Sequence, residues 1–490
     1  MHIRVRPPHA ARAATVWLCG AIACALALPT QAQTPPPAGE LTVQALAERL
    51  RAIEQRLGGG GAIAGASADS GSLAELDQRL RIIERKLELQ AEEAAAKAAS
   101  TPSVSLSASK GLAIKSPPPG DVEVKLKALV QADGRFFIGD ERSPQNDTFL
   151  FRRIQPTLEG TWGSLVGFRL TPEFAGDSAT VNDAYLDLKF DPRASVRIGK
   201  FKSPVGLERL QSSGSNALIE LGLASELTPN RDLGVQLQGE LAGATVSYAL
   251  GVFNGAVDGR DSPTVNPDNE FELAGRVFVE PWKNDGGALS GLGFGLAGSR
   301  GDKRGGGNNA LPRYRTPGQV QFFNYRSAVL ADGAHSRWSP QAWFYRNAFG
   351  VIGEYVGSSQ EVRNGAFAGE LDHRAWQVTA GYVLTGEDAG YKGVARPNQP
   401  FTVGGAGWGA FELVARYGRL EIDEAAFPRY ADRNAVAAAA RSWGLGLNWY
   451  LTGNLKLVAN YTQTAFDGGA AAGRDREDEK AFFTRAQLAF

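Results

Sequence analysis

The sequence predicts an all-β protein, a 16-stranded antiparallel transmembrane β-barrel with a short N-terminal helical coiled-coil segment. Three observations predict it. From Asp121 to the last residue, apolar and polar residues alternate with a period of two. The polar face of many of these runs carries full charges, as a water-filled interior allows. Aromatic residues gather near the strand ends (Trp162, Trp338, Trp376, Trp408, Trp449 and Tyr450), and the chain ends in Phe490 on the apolar face of its last run. A soluble β-sandwich would also alternate, but it has no reason to combine these features.

Composition narrows the classes. The chain has 490 residues, with 52 Lys+Arg against 52 Asp+Glu. A hydrophobic content of 43% without repeated long apolar runs excludes a helical membrane protein, which needs spans of about 20 residues. Zero net charge argues against a nucleic-acid partner. Charged residues at 21% and aromatics at 9% exclude wholesale disorder. An alternating barrel averages to a soluble-looking composition and is not excluded.

Residues 1–32 read as a secretory signal peptide. Arg4, Arg6 and Arg12 precede the apolar stretch Ala13–Leu28, and Thr30-Gln31-Ala32 is small at both positions that cleavage after Ala32 requires. Both cysteines, Cys19 and Cys24, lie in this segment, so no disulfide or thiol chemistry is expected in the mature chain. His335 and His373 then remain without metal-ligand spacing, and no cofactor or metal is expected.

Residues 33–45 form a Pro-rich spacer. Residues 46–90 read as a two-part coiled coil. Leu46, Leu50, Ile53 and Leu57 are spaced 4, 3, 4; Leu73, Leu76, Leu80, Ile83 and Leu87 are spaced 3, 4, 3, 4. Arg49-Leu50-Arg51 returns as Arg79-Leu80-Arg81, so the two parts are a repeat. Helices this short are marginal alone in water, and an oligomeric body downstream would bring copies together. Residues 91–120 read as a low-complexity tether rich in Ala, Ser and Pro.

Residues 121–490 are the barrel. Strand starts are expected near 122, 148, 165, 180, 194, 232, 244, 270, 290, 336, 349, 373, 409, 441, 454 and 481. With a periplasmic C-terminus, the long stretches Lys202–Arg231, Gly255–Asn269, Arg300–His335 and Glu421–Ala440 all fall outside. Gly386–Gly409 is too long for a periplasmic turn, and Gln319–Tyr325 is assigned to a loop. Anion passage requires cations aimed at the lumen. By parity these are Lys125, Lys127, Arg135, Arg153, Arg169, Lys189, Arg197 and Arg276; Arg152 faces outward by parity, but near an external rim it can still bend round into the pore and stays a candidate.

Short pieces along the whole barrel carry a resemblance. They are Phe151-Arg152-Arg153, Asp183-Ala184-Tyr185, Ile198-Gly199-Lys200-Phe201-Lys202 with Pro204 and Gly206-Leu207-Glu208, Arg231 with Gly234, Gly251-Val252-Phe253-Asn254-Gly255, Ser339-Pro340, Gly353-Glu354-Tyr355, Leu384-Thr385-Gly386-Glu387 and Asn448-Trp449-Tyr450. In order and at fitting intervals, they resemble the phosphate-selective porins O and P, a family of bacterial outer-membrane trimers. The resemblance implies a homotrimer with one pore per subunit and an inward-folded loop, here Lys202–Arg231. It also implies an arginine ladder conducting the anion and a lysine binding it at the constriction. Arg135, Arg152, Arg153 and Lys202 occupy the matching stretches.

The resulting expectation is a porin of the outer membrane, not an enzyme, for passive uptake of phosphate, polyphosphate or other small anions. Its N-terminal segment would lie in the periplasm. Its partners would be two further copies, outer-membrane lipid, the barrel assembly machinery that reads Phe490, and the cell wall through the coiled coil. Charge counting alone does not point to phosphate. Residues 1–120 hold 13 basic and 10 acidic residues, leaving 39 and 42 for the barrel. In the constriction loop Lys202, Arg209 and Arg231 are matched by Glu208, Glu220 and Glu226. A general or organic-anion diffusion porin is therefore the alternative. An outer-membrane enzyme would need a nucleophile and base on adjacent strands, and His335 and His373 lie at strand starts with no serine partner evident in the sequence; a structural envelope tether would make the barrel a mere anchor.

Overall fold

The computed structural model describes residues 73–107, 111–117, 119–139 and 146–490. The signal, the spacer and the first coiled-coil part, Leu46–Leu57, lie outside the described residues. A helix covers the second part, Leu73–Ser100. It continues past residue 90 because Ala91–Ala99 is rich in strong helix formers. The expected tether also contains two short paired strands, Ser103–Ser107 and Gly111–Lys115. Their apolar alternation, Val104, Leu106, Leu112 and Ile114, is concealed by the Ser/Ala-rich composition.

The barrel strands, numbered here from the first, are β1 (Val122–Phe137), β2 (Thr148–Trp162), β3 (Val166–Glu173), β4 (Thr180–Asp191), β5 (Ala194–Lys202), β6 (Arg231–Leu241), β7 (Val246–Phe253) and β8 (Glu272–Val279). They continue as β9 (Leu292–Gly306), β10 (Leu330–Arg346), β11 (Phe349–Asn364), β12 (Phe367–Val383), β13 (Ala410–Glu421), β14 (Ala437–Tyr450), β15 (Leu455–Gly468) and β16 (Glu479–Ala489). Each pairs antiparallel with the next. β16 closes on β1 from Ala481 opposite Phe137 to Ala489 opposite Leu129. Closure leaves no open barrel edge, as a hydrocarbon surrounding demands.

Burial is inverted relative to a soluble protein. Leu170, Leu186, Leu250 and Leu296 are exposed on the outer wall, whereas Gln131, Gln155, Gln377, Asn448 and Arg485 are buried inside. Trp162, Trp338, Trp376 and Trp408 are outward and exposed, as the girdle predicts. Tyr450 is not part of it. It is buried, and its hydroxyl donates to Glu412 Oε2 at 2.8 Å, because Trp449 takes the outward row.

The largest apolar core lies inside the barrel and is built by loops. Tyr314, Phe322, Phe323 and Tyr325 from the external connection 307–329 pack with Leu223 and Leu227 of the 203–230 loop and with Tyr430 of the connection 422–436. Part of the stretch assigned to a loop, Gln321–Asn324, pairs with Arg313–Arg315 as a separate ribbon in that core. Gly386–Gly409 lies in the connection between β12 and β13. It is long because part of it enters the barrel: the Tyr391 hydroxyl donates to Leu207 O at 2.6 Å and Gln211 Nε2 donates to Tyr391 O at 2.7 Å.

Candidate functional site

The loop between β5 and β6, residues 203–230, crosses the lumen and fastens to one side of the wall. The backbone N–H groups of Leu207 and Glu208 donate to the two carboxylate oxygens of Glu354 on β11, at 2.7 and 3.2 Å. Glu208 accepts from Arg416 on β13 at 2.7 Å and from Gln377 on β12 at 2.7 Å. Asn448 on β14 donates to Ala217 O, Asn460 on β15 accepts from Ile219 N–H, and Arg485 on β16 donates to Ile219 O. Buried backbone groups must find partners. Here side chains on the polar face of β11–β16 supply them.

The open passage therefore runs along the other side. A cavity of about 810 Å³ is lined by residues of β1 to β8 and by Phe490. A second cavity of about 320 Å³ is lined by β2, by the 203–230 loop and by the external connections. Gln155, Lys202, Ser213 and Arg231 line both and mark the junction between them. The first cavity carries Lys127, Arg169, Arg197, Lys202, Arg231 and Arg276 against Asp183 and Glu240. The second carries Arg152, Arg153, Lys202, Arg209, Arg231, Arg260 and Arg315 against Glu173, Glu220, Glu226 and Asp261. Both are basic, although the barrel as a whole is slightly acidic.

These cations are of two kinds. Some are neutralised: Arg197 pairs with Asp187 at 2.7 and 2.9 Å, Arg231 with Asp183 at 2.9 Å, Lys127 with Glu159 at 2.5 Å. Arg169 shares Glu159. Others have no ion-pair partner among the described residues: Arg153, Lys202, Arg209, Arg276 and Arg315. Arg153 donates to Gln131 Oε1 at 2.9 Å, Arg276 to Gln341 Oε1 at 2.9 Å, and Lys202 to the carbonyl of Gln211. Neutral acceptors hold these side chains in place without cancelling their charge.

Glu220 is the carboxylate that ties the loop to the early strands. It accepts from Arg135 at 2.5 Å and from Arg152 at 2.7 Å and 3.2 Å. Burial pushes its carboxyl up, but Arg152 and Arg135 outweigh burial and hold it well below the usual carboxylate range. Glu226 behaves oppositely. Burial pushes it up, and Arg260 and Arg209 offset only part of that.

A family model described as phosphate-selective porin O and P matches residues 124–490. The chain belongs to that family. Porin O of Pseudomonas aeruginosa is 23% identical over 397 residues, covering 75% of this chain and 88% of that protein. Among solved structures, the outer membrane channel DcaP of Acinetobacter baumannii superposes with a TM-score of 0.50 at 12% identity, over 76% of this chain and 98% of that one. An anion-selective porin from Comamonas acidovorans matches at 0.47 and 14% identity, over 76% and 100%. The protein is thus an outer-membrane porin, and family and fold point to a channel rather than an enzyme.

Placed on this porin, the parity assignments divide. Lys127, Arg153, Arg169, Arg197 and Arg276 line the passage, as does Lys202, which the resemblance rather than parity put forward. Arg152 lines it as well, against the outward assignment. The pairing of β1 with β2 shifts between Gln131 opposite Arg153 and Ala132 opposite Phe151, so Arg152 is an extra residue in a β-bulge. A bulge interrupts the period of two and re-aims a side chain; both neighbouring arginines then turn inward. Arg135 points inward but is buried beside Glu220 and lines neither cavity. Lys125 pairs with Glu123 at 3.0 Å, and neither it nor Lys189 reaches a cavity. Parity missed Arg231 at the junction, Arg209 on the inward loop, and Arg260 and Arg315 on external connections. Loops have no period from which a direction can be read.

Proposed function

We propose that this porin conducts small anions, with phosphate or polyphosphate as the favoured solutes. The observation that carries the reading is the set of cations without carboxylate partners along the passage. Arg153 stands above the junction, Lys202 at it and Arg276 below it. An arginine offers a planar fork that matches phosphate oxygens. Cations spaced along a wall allow an anion to be held and passed on, whereas one tight cage would retain it. The family resemblance further supports a homotrimer. The 3-4 leucine spacing in residues 46–90 supports a coiled coil between copies, on the periplasmic side, and Phe490 at the end of an alternating strand supports its role as the signal to the assembly machinery.

A second reading, an organic-anion pore, is favoured by the aromatic wall of the larger cavity. The Arg197 guanidinium lies 4.1 Å from the centre of the Tyr185 ring and 5.5 Å from that of Phe201. Planar-bilayer recording separates the two. Phosphate should block chloride current under the first reading, and aromatic carboxylates should block better under the second. A cation-selective reversal potential would sink both. Deleting residues 40–90 tests the helical segment: loss of trimers marks an oligomerisation device, and loss of envelope attachment with conductance intact marks a tether.

A further inference from the structure

Ser103–Ser107 and Gly111–Lys115 precede the family-matched region, yet they are built into the wall. β16 ends against the middle of β1, where Phe490 and Ala128 exchange both backbone hydrogen bonds at 2.9 and 3.0 Å. β1 begins lower, at Val122. The edge that the C-terminal strand leaves uncovered is taken by the hairpin, with Leu112 to Lys115 paired opposite Leu126 to Glu123. Gly111 sits at φ +68, and a Cβ there would fall 2.2 Å from Leu126 O, so the close approach needs glycine.

The register fixes which way each side chain points. Leu106, Leu112, Leu126 and Leu158 stand opposite one another across four strands. Val104 and Ile114 continue the next outward row into Val124. Leu126 and Leu158 are exposed on the outer wall, whereas Lys127, on the alternate row, lines the larger cavity. Val104 is 66% and Leu106 79% exposed, both on the outward face; by the period of two Ser105 between them belongs to the opposite face. Trp162 lies opposite Val122 and marks the periplasmic interface at the foot of the hairpin.

We propose that this hairpin is inserted in the periplasmic leaflet of the outer membrane and seals the seam between β16 and β1. Its outward row contacts phospholipid acyl chains. The occupant is lipid because the row is continuous with the lipid-facing wall and repeats its pattern of apolar outside and polar inside. The hairpin takes up the backbone of Glu123–Leu126 that β16 leaves uncovered beside the larger cavity. The inference rests on the barrel lying in the outer membrane and is independent of which anion passes.

The chain carries cysteine only at 19 and 24, in the segment expected to be cleaved, so single-cysteine variants of the processed protein report one position each. Val104→Cys, Ser105→Cys and Leu106→Cys, labelled with bimane, are reconstituted in phosphatidylcholine vesicles. Brominated acyl chains should quench positions 104 and 106 severalfold more than 105, and aqueous iodide should show the reverse order. Equal quenching at all three overturns the proposal. A spontaneous intersubunit disulfide at 104 in place of lipid quenching also overturns it and assigns the face to a second copy. Hydrogen exchange on the unmodified protein in vesicles is the independent measurement. Peptides covering 111–115 should exchange as slowly as those of β1, and rapid exchange there overturns the seal.

Discussion

Arg152 and Glu220 form a two-pronged ion pair, Nε to Oε1 at 2.7 Å and Nη2 to Oε2 at 3.2 Å, that joins a bulge in the second strand to the loop crossing the lumen. Arg135 completes it from the first strand. The pair therefore does two things: it holds the crossing loop to that side of the wall, and its one negative charge offsets Arg152 in the passage, while Arg135 is also paired with Asp133 at 3.1 Å.

Glu220→Gln should expose both effects. Anion selectivity rises because Arg152 loses its counter-charge while Arg135 keeps Asp133, and single-channel conductance rises because the loop loses a tie. Leaving buried charges unpaired costs about 3–5 kcal/mol, so the temperature at which the folded barrel unfolds on a gel should fall. Reversal potential, conductance and gel mobility against temperature check the three outcomes.

The two loop carboxylates predict how the pore responds to acid. Glu220 has a depressed value, so its stabilising contribution is full above the ordinary carboxylate range and is lost only when pH falls below it. Glu226 has a raised value, so it neutralises first as pH falls and leaves Arg260 and Arg209 less compensated. As pH falls from neutral toward the ordinary carboxylate range, anion selectivity should climb while the constriction stays tied. Glu226→Gln should raise selectivity at neutral pH and flatten that climb. A reversal potential measured across this range checks both.

Arg153→Ala and Lys202→Ala should weaken phosphate block of chloride current by roughly tenfold to a hundredfold, the equivalent of about 1.5–3 kcal/mol for a charge-assisted hydrogen bond. Lys125→Ala and Lys189→Ala should change it little, because neither side chain lines a cavity. Concentration series of phosphate in bilayer recordings give the comparison directly. Equal effects of all four substitutions would show that net lumen charge, rather than position, governs block.

Tyr391→Phe removes the bond to Leu207 O, worth about 1 kcal/mol, and keeps the ring beside Trp343, whose centre is 4.5 Å away. Tyr391→Ala removes both and should cost about 2 kcal/mol. Open-channel noise and mean conductance should rise in that order, since the Tyr391 segment supports the 203–230 loop where it begins.

The barrel was legible because its signal is repeated. Every lipid-facing strand must alternate, so most starts fall within two residues of their expected places, from Val122 to Glu479; those expected near 336, 373 and 441 come earlier, at Leu330, Phe367 and Ala437. Parity then located the side chains of regular strands, including Arg153, Arg169 and Arg197. It failed at Arg152 because one inserted residue reverses a period-two prediction locally. It failed for the loop charges because their partners are distant in sequence. Glu208 looked available to balance Arg209, but it accepts from Arg416, 208 residues away. Neither Arg315 nor Tyr391 sits in a segment with a period, and only the folded interior gives them a direction.

The loop's fastenings fall mostly on β11–β16, whereas the cations of the passage fall on β1–β8 and the loops above them. Support and solute contact are thus assigned to different stretches of one chain. Substitutions in the N-terminal half can retune what the pore accepts without unfastening the element that narrows it. Arg152 is the exception, since it belongs to both sets. Such a division lets relatives with a common scaffold diverge in the solutes they admit.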